Sequence, residues 1–382
     1  MPVPDHELQL RLDGLRAALR EDDIDLAVFV EASDLVYLTG AMTDAHLLVP
    51  VEGDPTLLVR RDFERARREI PLERIEPFPS LRALPEHVAE LGAQRLGFEL
   101  DVLPAARYLR YRDLLAPRTI VDVSPTIARL RARKSPWEVD RIRDAARQVR
   151  TAFTAAESLA ETCATDLEIQ IELERVLRLA GHQGPLRFRG LNGMMFYGAV
   201  LAGPDGAVAP WADTPLGGPG PNRAVGKGPG GWRIGEGDAI TVDLVGGAEG
   251  YLADATRTLF RGTGRDPLPA ALEVCVDILA ELESLLRPGV PGGALYDRGA
   301  ELAAAAGFAD NWMGHGPGRV RFVGHGVGLE VNEPPFLAAG VEEPLVAGNV
   351  VAVEPKLVFP GVGAVGVENT YLVTEDGAER LT

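Results

Sequence analysis

Residues 241–260 read TVDLVGGAEGYLADATRTLF, two strand-like runs joined by a glycine-rich turn. Asp243 and Asp254 are equally distant from the centre of that turn, which predicts that they face each other across an antiparallel ladder. Opposed like charges destabilise a sheet unless a proton, an arginine or a cation intervenes, or unless one aspartate turns to water or pairs with Arg257. Residues 350–374 repeat the arrangement. Val350 to Phe359 and Ala364 to Thr374 are predicted as a second hairpin centred on Gly361, with Glu354 and Glu368 symmetric about it. Glu354 ends the apolar run VVAVE, where an unpaired buried carboxylate would cost several kcal/mol. Between the hairpins, Gly324-His325-Gly326 sets an imidazole among glycines that allow close backbone approach. Carboxylates with one imidazole suit two borderline divalent ions such as Zn, Mn, Co or Fe(II), which as a pair activate a shared water for hydrolysis.

The surrounding chain narrows the class. Its 382 residues exceed what one core usually serves, so two domains are expected, or one with an appendage. Acids outnumber bases 56 to 39, a formal charge of −17, so nucleic-acid phosphate and anionic membrane surfaces would be repelled. Small molecules and metal cations are the expected partners. Cys163 and Cys275 stand isolated, without metal or redox spacing, which excludes a disulfide framework. No apolar run approaches the roughly 18 residues of a membrane span, and a reduced cytoplasm is the expected location. Only Lys134, Lys227 and Lys356 among the 39 basic residues are lysines, a skew attributable to base composition.

Residues 1–132 alternate helical and strand patterns. Helices are expected at 7–20, 63–68 and 105–115, and strands at 24–30, 46–51, 56–59 and 119–123, giving an α/β domain. A boundary follows at Arg133-Lys134-Ser135-Pro136-Trp137-Glu138, where Ser135 and Glu138 form a capping box and Pro136 suits the first helical position. Residues 133–382 then read as an α+β domain, with a second helix opened by Thr165 and Glu168 and later helices near 269–286 and 294–306. Residues 215–237 are too rich in glycine and proline for a regular element and read as a lid or a surface insertion. Lys227 in that loop lacks P-loop spacing, and the GxGxxG match at 361–366 precedes a strand, so it is read as a hairpin turn.

These motifs resemble those of the pita-bread metallopeptidases, the family containing Xaa-Pro dipeptidase (prolidase), aminopeptidase P, methionine aminopeptidase and the metal-free creatinase. Tyr37-Leu38-Thr39-Gly40 resembles the N-terminal-domain signature, and Arg133-Lys134-Ser135 with Glu138 resembles the domain junction. Asp243, Asp254, His325, Glu354 and Glu368 fill all the family's ligand positions. The resemblance implies an α/β domain of creatinase/prolidase N-terminal type over 1–132, a pita-bread catalytic domain over 133–382, and a homodimer. It also implies that Asp254 and Glu368 bridge two metal ions, that Asp243 completes one ion and His325 with Glu354 the other, and that Glu354 accepts the proton of the attacking water.

Three positions depart from the family pattern. Ala209-Pro210-Trp211 stands where prolidase-type enzymes carry a histidine after proline, in the strand before the first hairpin. Asn332 replaces a histidine seven residues past His325, and Gly366 replaces an arginine two before Glu368. Asn332 can hydrogen-bond a substrate but cannot carry a proton. His315, ten residues before His325, is either a replacement proton carrier or a surface histidine. The expected activity is hydrolysis of the Xaa-Pro bond in dipeptides or short peptides by a dinuclear metallopeptidase. The alternatives are a metal-dependent hydrolase of a non-peptide C–N bond or a lyase on the same fold, and a non-catalytic binding protein.

Overall fold

Leu8, Leu12, Leu15 and Leu19 recur at helical spacing, and the helix Asp5–Glu21 buries all of them. In the computed structural model, which describes residues 2–193 and 196–382, that helix belongs to the first of two units. The first comprises residues 1–131 and 189–193, and the second residues 132–188 and 194–382.

The first unit is built on a six-stranded sheet in the order Arg74–Pro77, Thr56–Val59, Ala45–Pro50, Leu26–Phe29, Arg95–Phe98, Thr119–Asp122. Leu26–Phe29, buried throughout, runs antiparallel to Ala45–Pro50 and parallel to Arg95–Phe98. Two of these strands, Arg74–Pro77 and Arg95–Phe98, and the helices Ala32–Thr39, Leu84–Glu90 and Ser124–Ala132 lie outside the sequence prediction. Arg74–Pro77 is a half-exposed edge strand without apolar alternation, held by its backbone ladder. In Arg95–Phe98 the pattern is interrupted by Gly97, where an added Cβ would lie 2.9 Å from Val123.

The helix Ala32–Thr39 ends at Gly40, whose φ of 79° suits glycine. On this helix the fully buried Asp34 meets Arg131 Nη1 at 2.8 Å and Arg189 Nη1 at 3.0 Å. Burial raises the carboxyl, but the two guanidiniums hold it below its ordinary range, while Glu99 is pushed well up by its own burial and by the Asp34 charge. Arg189 also binds Asp101 at 2.5 Å. These ion pairs anchor residues 189–193 in the first unit, whereas the sequence boundary assigns all of 133–382 to the second domain.

In the second unit both capping boxes form, Ser135 with Glu138 and Thr165 with Glu168. They open the helices Pro136–Thr162 and Asp166–Leu179. The first helix lies against the strands Ala239–Ala248 and Tyr251–Phe260. Gly246 permits that approach, since a Cβ there would come within 2.2 Å of Ala145 O. Those two strands and Gly198–Ala202 make a three-stranded sheet. A five-stranded sheet runs Glu333–Ala338, Phe322–Gly326, Val350–Val353, Asn369–Val373, Ala378–Arg380, and Lys356–Phe359 forms a two-stranded sheet with Gly363–Gly366. Gly361, at φ 76°, turns that last hairpin, so the GxGxxG match is a turn. The helices Leu268–Leu285 and Gly292–Ala305 close the core over Leu337, Val351 and Tyr371.

Residues 215–237 carry no helix or strand but are no loose insertion. Gly228 N donates to Gly217 O at 2.7 Å and Gly220 N to Gly228 O at 2.9 Å, so the loop is bonded to itself. Leu216, Gly217, Gly218 and Gly228 are buried, and residues 221–224 form its exposed tip.

His46, buried in the first unit, shares a 2.7 Å hydrogen bond between its Nε2 and Tyr111 OH. Burial, reinforced by the Arg107 charge, lowers its pKa to about 4. Because the folded value lies below the unfolded value near 6.5, the unfolded state binds the proton first as pH falls. The contribution is complete above about pH 6.5 and is lost progressively toward pH 4, by about 2 kcal/mol at pH 5. Urea unfolding at pH 7.5 and pH 5 should show this loss, and His46→Gln should shrink the difference between the two curves, leaving the share of His182, which burial also lowers to about 4.

Candidate metal centre

The first hairpin turns at Glu249 and Gly250, with φ of 51° and 93°, the conformation of a tight two-residue turn. The ladder therefore pairs Asp243 with Thr256 and Asp254 with Val245. The aspartates are not directly opposed, as equal spacing about the glycine-rich turn predicts; they are offset by two residues. A two-residue offset preserves the pleat, so both acids remain on one face. Arg257 pairs with neither aspartate. It donates to Glu368 O at 2.7 Å and to Asn369 Oδ1 at 2.8 Å, with its guanidinium over the Phe153 ring.

In the second hairpin the predicted register holds on both sides of the acids: Val353 pairs with Asn369 and Lys356 with Gly366. Glu354 and Glu368 thus stand at matching positions where one continuous hairpin divides between two sheets. Glu354 N donates to Val323 O and Glu368 N to Thr256 O, tying each acid to a different strand. His325 lies on Phe322–Gly326, with bulges on either side. Its flanking glycines are required: a Cβ on Gly324 would meet Ala352 O at 2.2 Å, and one on Gly326 would meet Glu333 O at 2.4 Å. His325 Nδ1 lies 3.1 Å from Gly326 O. Donating its proton there leaves Nε2 as the ligand atom, a common arrangement at metal sites.

Asp243, Asp254, His325, Glu354 and Glu368 come together. His325 Nε2 is 3.7 Å from Glu354 Oε1 and 4.0 Å from Asp254 Oδ2. Burial, then the charges of Glu368 and Asp243, pushes Asp254 well above its ordinary range. Asp243 is also raised by burial, against the opposing ammonium of Lys356. A divalent cation fits one part of this cluster. Asp254, His325 and Glu368 offer ligand atoms within 4.8 Å of one another, all from buried residues. Asp254 Oδ1 and Glu368 Oε1 are buried without a hydrogen-bond partner among the described residues. Buried carboxylate oxygens left in this way call for a cation or a proton.

Other groups at the centre lie outside the sequence-predicted set. Lys356 Nζ reaches Glu354 Oε2 at 2.5 Å, Glu368 Oε2 at 3.2 Å and Asp243 Oδ2 at 3.3 Å. Burial opposes its charge, but these three carboxylates outweigh it and hold the ammonium well above its ordinary range. Thr256 Oγ1 donates to Glu368 Oε2 at 2.6 Å. Lys227, carried inward by the self-bonded loop, feels the charges of Asp243 and Asp254, although burial still lowers its pKa. Lys134 Nζ pairs with buried Glu333 at 2.8 Å. Lys134 and Lys356 therefore both sit in buried ion pairs. The sequence signal was there: three lysines among 39 basic residues, one of them two positions past Glu354 and so on the same strand face.

His315 and Asn332 stand apart from these contacts. His315 is exposed at the start of the short turn Gly316–Gly318, and Asn332 is half-buried in the bend between Phe322–Gly326 and Glu333–Ala338. Ala209-Pro210-Trp211 is not a strand; Gly198–Ala202 is the strand before the hairpin. Trp211 is exposed and donates through Nε1 to Val225 O at 3.1 Å.

Comparison with known proteins places this geometry. Residues 140–375 match the model of metallopeptidase family M24, and residues 11–133 match that of the Creatinase/Prolidase N-terminal domain. The chain is 27% identical to an uncharacterized peptidase, YqhT, of Bacillus subtilis strain 168, over 98% of each sequence. It is 23% identical to an Xaa-Pro dipeptidase of Pyrococcus furiosus, over 97% of each. The solved structure of an Xaa-Pro dipeptidase from Bacillus anthracis matches with a TM-score of 0.84 at 24% identity, covering 98% of this chain and 97% of that one. That likeness shows a shared fold, and the match over residues 140–375 shows the family: this chain belongs to metallopeptidase family M24, with a creatinase-type N-terminal domain ahead of a pita-bread catalytic domain.

Proposed function

We propose that the chain hydrolyses the Xaa-Pro amide bond of dipeptides or short peptides. The observation that carries this reading is the buried group Asp254, His325 and Glu368 with its unpartnered carboxylate oxygens, in a chain that aligns along nearly its whole length with an Xaa-Pro dipeptidase. A divalent cation bound there supplies Lewis acidity and lowers the pKa of water, so that a nucleophile forms near neutral pH. The chain's own residues do the rest. The hydrogen bond to Gly326 O turns His325 Nε2 toward the acids, and Thr256 fixes one oxygen of Glu368. Glu354, with Oε1 facing His325 and Oε2 held by Lys356, accepts the proton released as water attacks the amide. Asn332 as a substrate hydrogen-bond partner and His315 as the proton donor to the leaving nitrogen are assigned from the sequence alone, since both stand apart from the cluster contacts. A second reading, hydrolysis of a non-peptide C–N bond on the same fold, is favoured by Asn332 and Gly366, which stand where the family resemblance expects a histidine and an arginine.

Protein stripped of metal and reloaded with Mn, Zn, Co or Fe(II) should cleave Xaa-Pro dipeptides and lose that activity to a chelator. No cleavage of Xaa-Pro dipeptides, longer Xaa-Pro peptides or non-proline controls, by protein with confirmed bound metal, would exclude the peptidase reading. Glu354→Gln should lower kcat by roughly 10² to 10⁴, the usual range for a general base, and retention within about tenfold of the parent would remove it from that role. Asp254→Ala should lose bound metal in direct metal analysis. His315→Ala should lower turnover and alter the acid limb of the pH profile; no change in either would remove His315 from the mechanism.

A further inference from the structure

The acids of this cluster divide into two groups, and a side chain already sits in one of them. Lys356 Nζ lies within 3.3 Å of oxygens from Asp243, Glu354 and Glu368, and the residue is only 1% exposed. Asp254, His325 and the other oxygen of Glu368 form the second group, with Asp254 Oδ1 and Glu368 Oε1 unpartnered among the described residues.

The lysine is held in place by the backbone that carries it. Lys356 pairs across its hairpin with Gly366, and a Cβ at 366 would come within 2.5 Å of Lys356 Cγ. The missing side chain at 366 leaves the space in which the lysine stem crosses the ladder toward the acids. Glycine at 366, one of the departures from the family pattern, and lysine at 356 are thus a single steric arrangement.

Charge points the same way. Asp243, Asp254, Glu354 and Glu368 carry four negative charges when ionised, and Lys356, in contact with three of them, offsets one. One divalent ion among Asp254, His325 and the glutamates offsets two more. A second ion would have to share Asp243 and Glu354 with a fixed ammonium a few ångströms away, where repulsion between like charges in a buried site amounts to several kcal/mol.

We propose that this centre takes one divalent cation, held by Asp254, His325, Glu354 and Glu368, and that the Lys356 ammonium stands in place of a second. The proposal rests on the metal-centre reading given above and departs from the two-ion site that the family resemblance implies. An ammonium supplies charge and hydrogen-bond donors but no coordination position, so at this place charge stabilisation comes from the protein itself.

The test is metal stoichiometry. Protein stripped with a chelator, reloaded with excess Mn²⁺ and desalted should retain about one ion per chain by elemental mass spectrometry. Its electron paramagnetic resonance spectrum should be that of isolated Mn²⁺. Lys356→Gly, which opens the second place, should retain about two ions per chain and show the spectrum of a spin-coupled pair. Two tightly held ions in the wild-type protein would overturn the proposal, as would a single ion in a folded Lys356→Gly variant. No retained ion in either protein, across Mn²⁺, Zn²⁺, Co²⁺ and Fe²⁺, would overturn the metal-centre reading and this proposal with it. The wild-type count requires no variant, so the test stands if Lys356→Gly fails to fold.

Discussion

Carboxylates buried within contact distance of one another repel, and the second unit is organised around containing that repulsion. Two unit charges 4 Å apart interact by about 1 kcal/mol in water and by several times that at the effective dielectric of a partly buried site. Asp243, Glu354 and Glu368 converge within 3.3 Å of one ammonium, and Asp254 and Glu368 offer oxygens within 4.8 Å of one another, reached from different strands. No strand can slip by one residue without turning its acid to the opposite face, so pairing register and charge balance constrain each other. The high pKa of Asp254 and that of Lys356 are two sides of one imbalance: the acid resists ionisation and the ammonium is held charged.

Close backbone approach is the second requirement, and glycine meets it where the strands cross. Gly246 lets the helix Pro136–Thr162 settle on the first hairpin; Gly324 and Gly326 bring His325 between its neighbours; Gly366 leaves room for the Lys356 stem. At each position a methyl group would collide with backbone or with a buried side chain. The choice of cation follows similar logic. A guanidinium is planar and forked, whereas an ammonium is compact and can donate in three directions from one point. Arginine serves the flat, two-sided pairing of Asp34 in the first unit, and lysine serves the small space among Asp243, Glu354 and Glu368.

Local chemistry is legible in the sequence. The capping boxes at Ser135 and Thr165 depend on residues three apart, and both form. The helix Ala105–Leu115 shows its pattern within its own length. By contrast, the edge strand Arg74–Pro77 has no apolar face of its own; it is a strand because Thr56–Val59 offers it a free ladder. The sequence spacing centres the first hairpin one position before its true turn at Glu249 and Gly250, because the positive φ at Glu249 reflects strand twist rather than any preference of glutamate.

The sequence by itself determined which residues could bind a cation, since carboxylates and an imidazole in apolar, glycine-flanked strands have few other uses. It also determined where the helices of the second unit begin, because caps are local hydrogen bonds. Only the tertiary structure decided how those donors are shared. Lys356 is two residues from Glu354 but 113 residues from Asp243. That it fills part of the acid cluster depends on the pairing of Lys356 with Gly366 and on the folding of the first hairpin against the second. Residue types state which charges are available; a low-dielectric interior, assembled from distant strands, sets which of them neutralise one another.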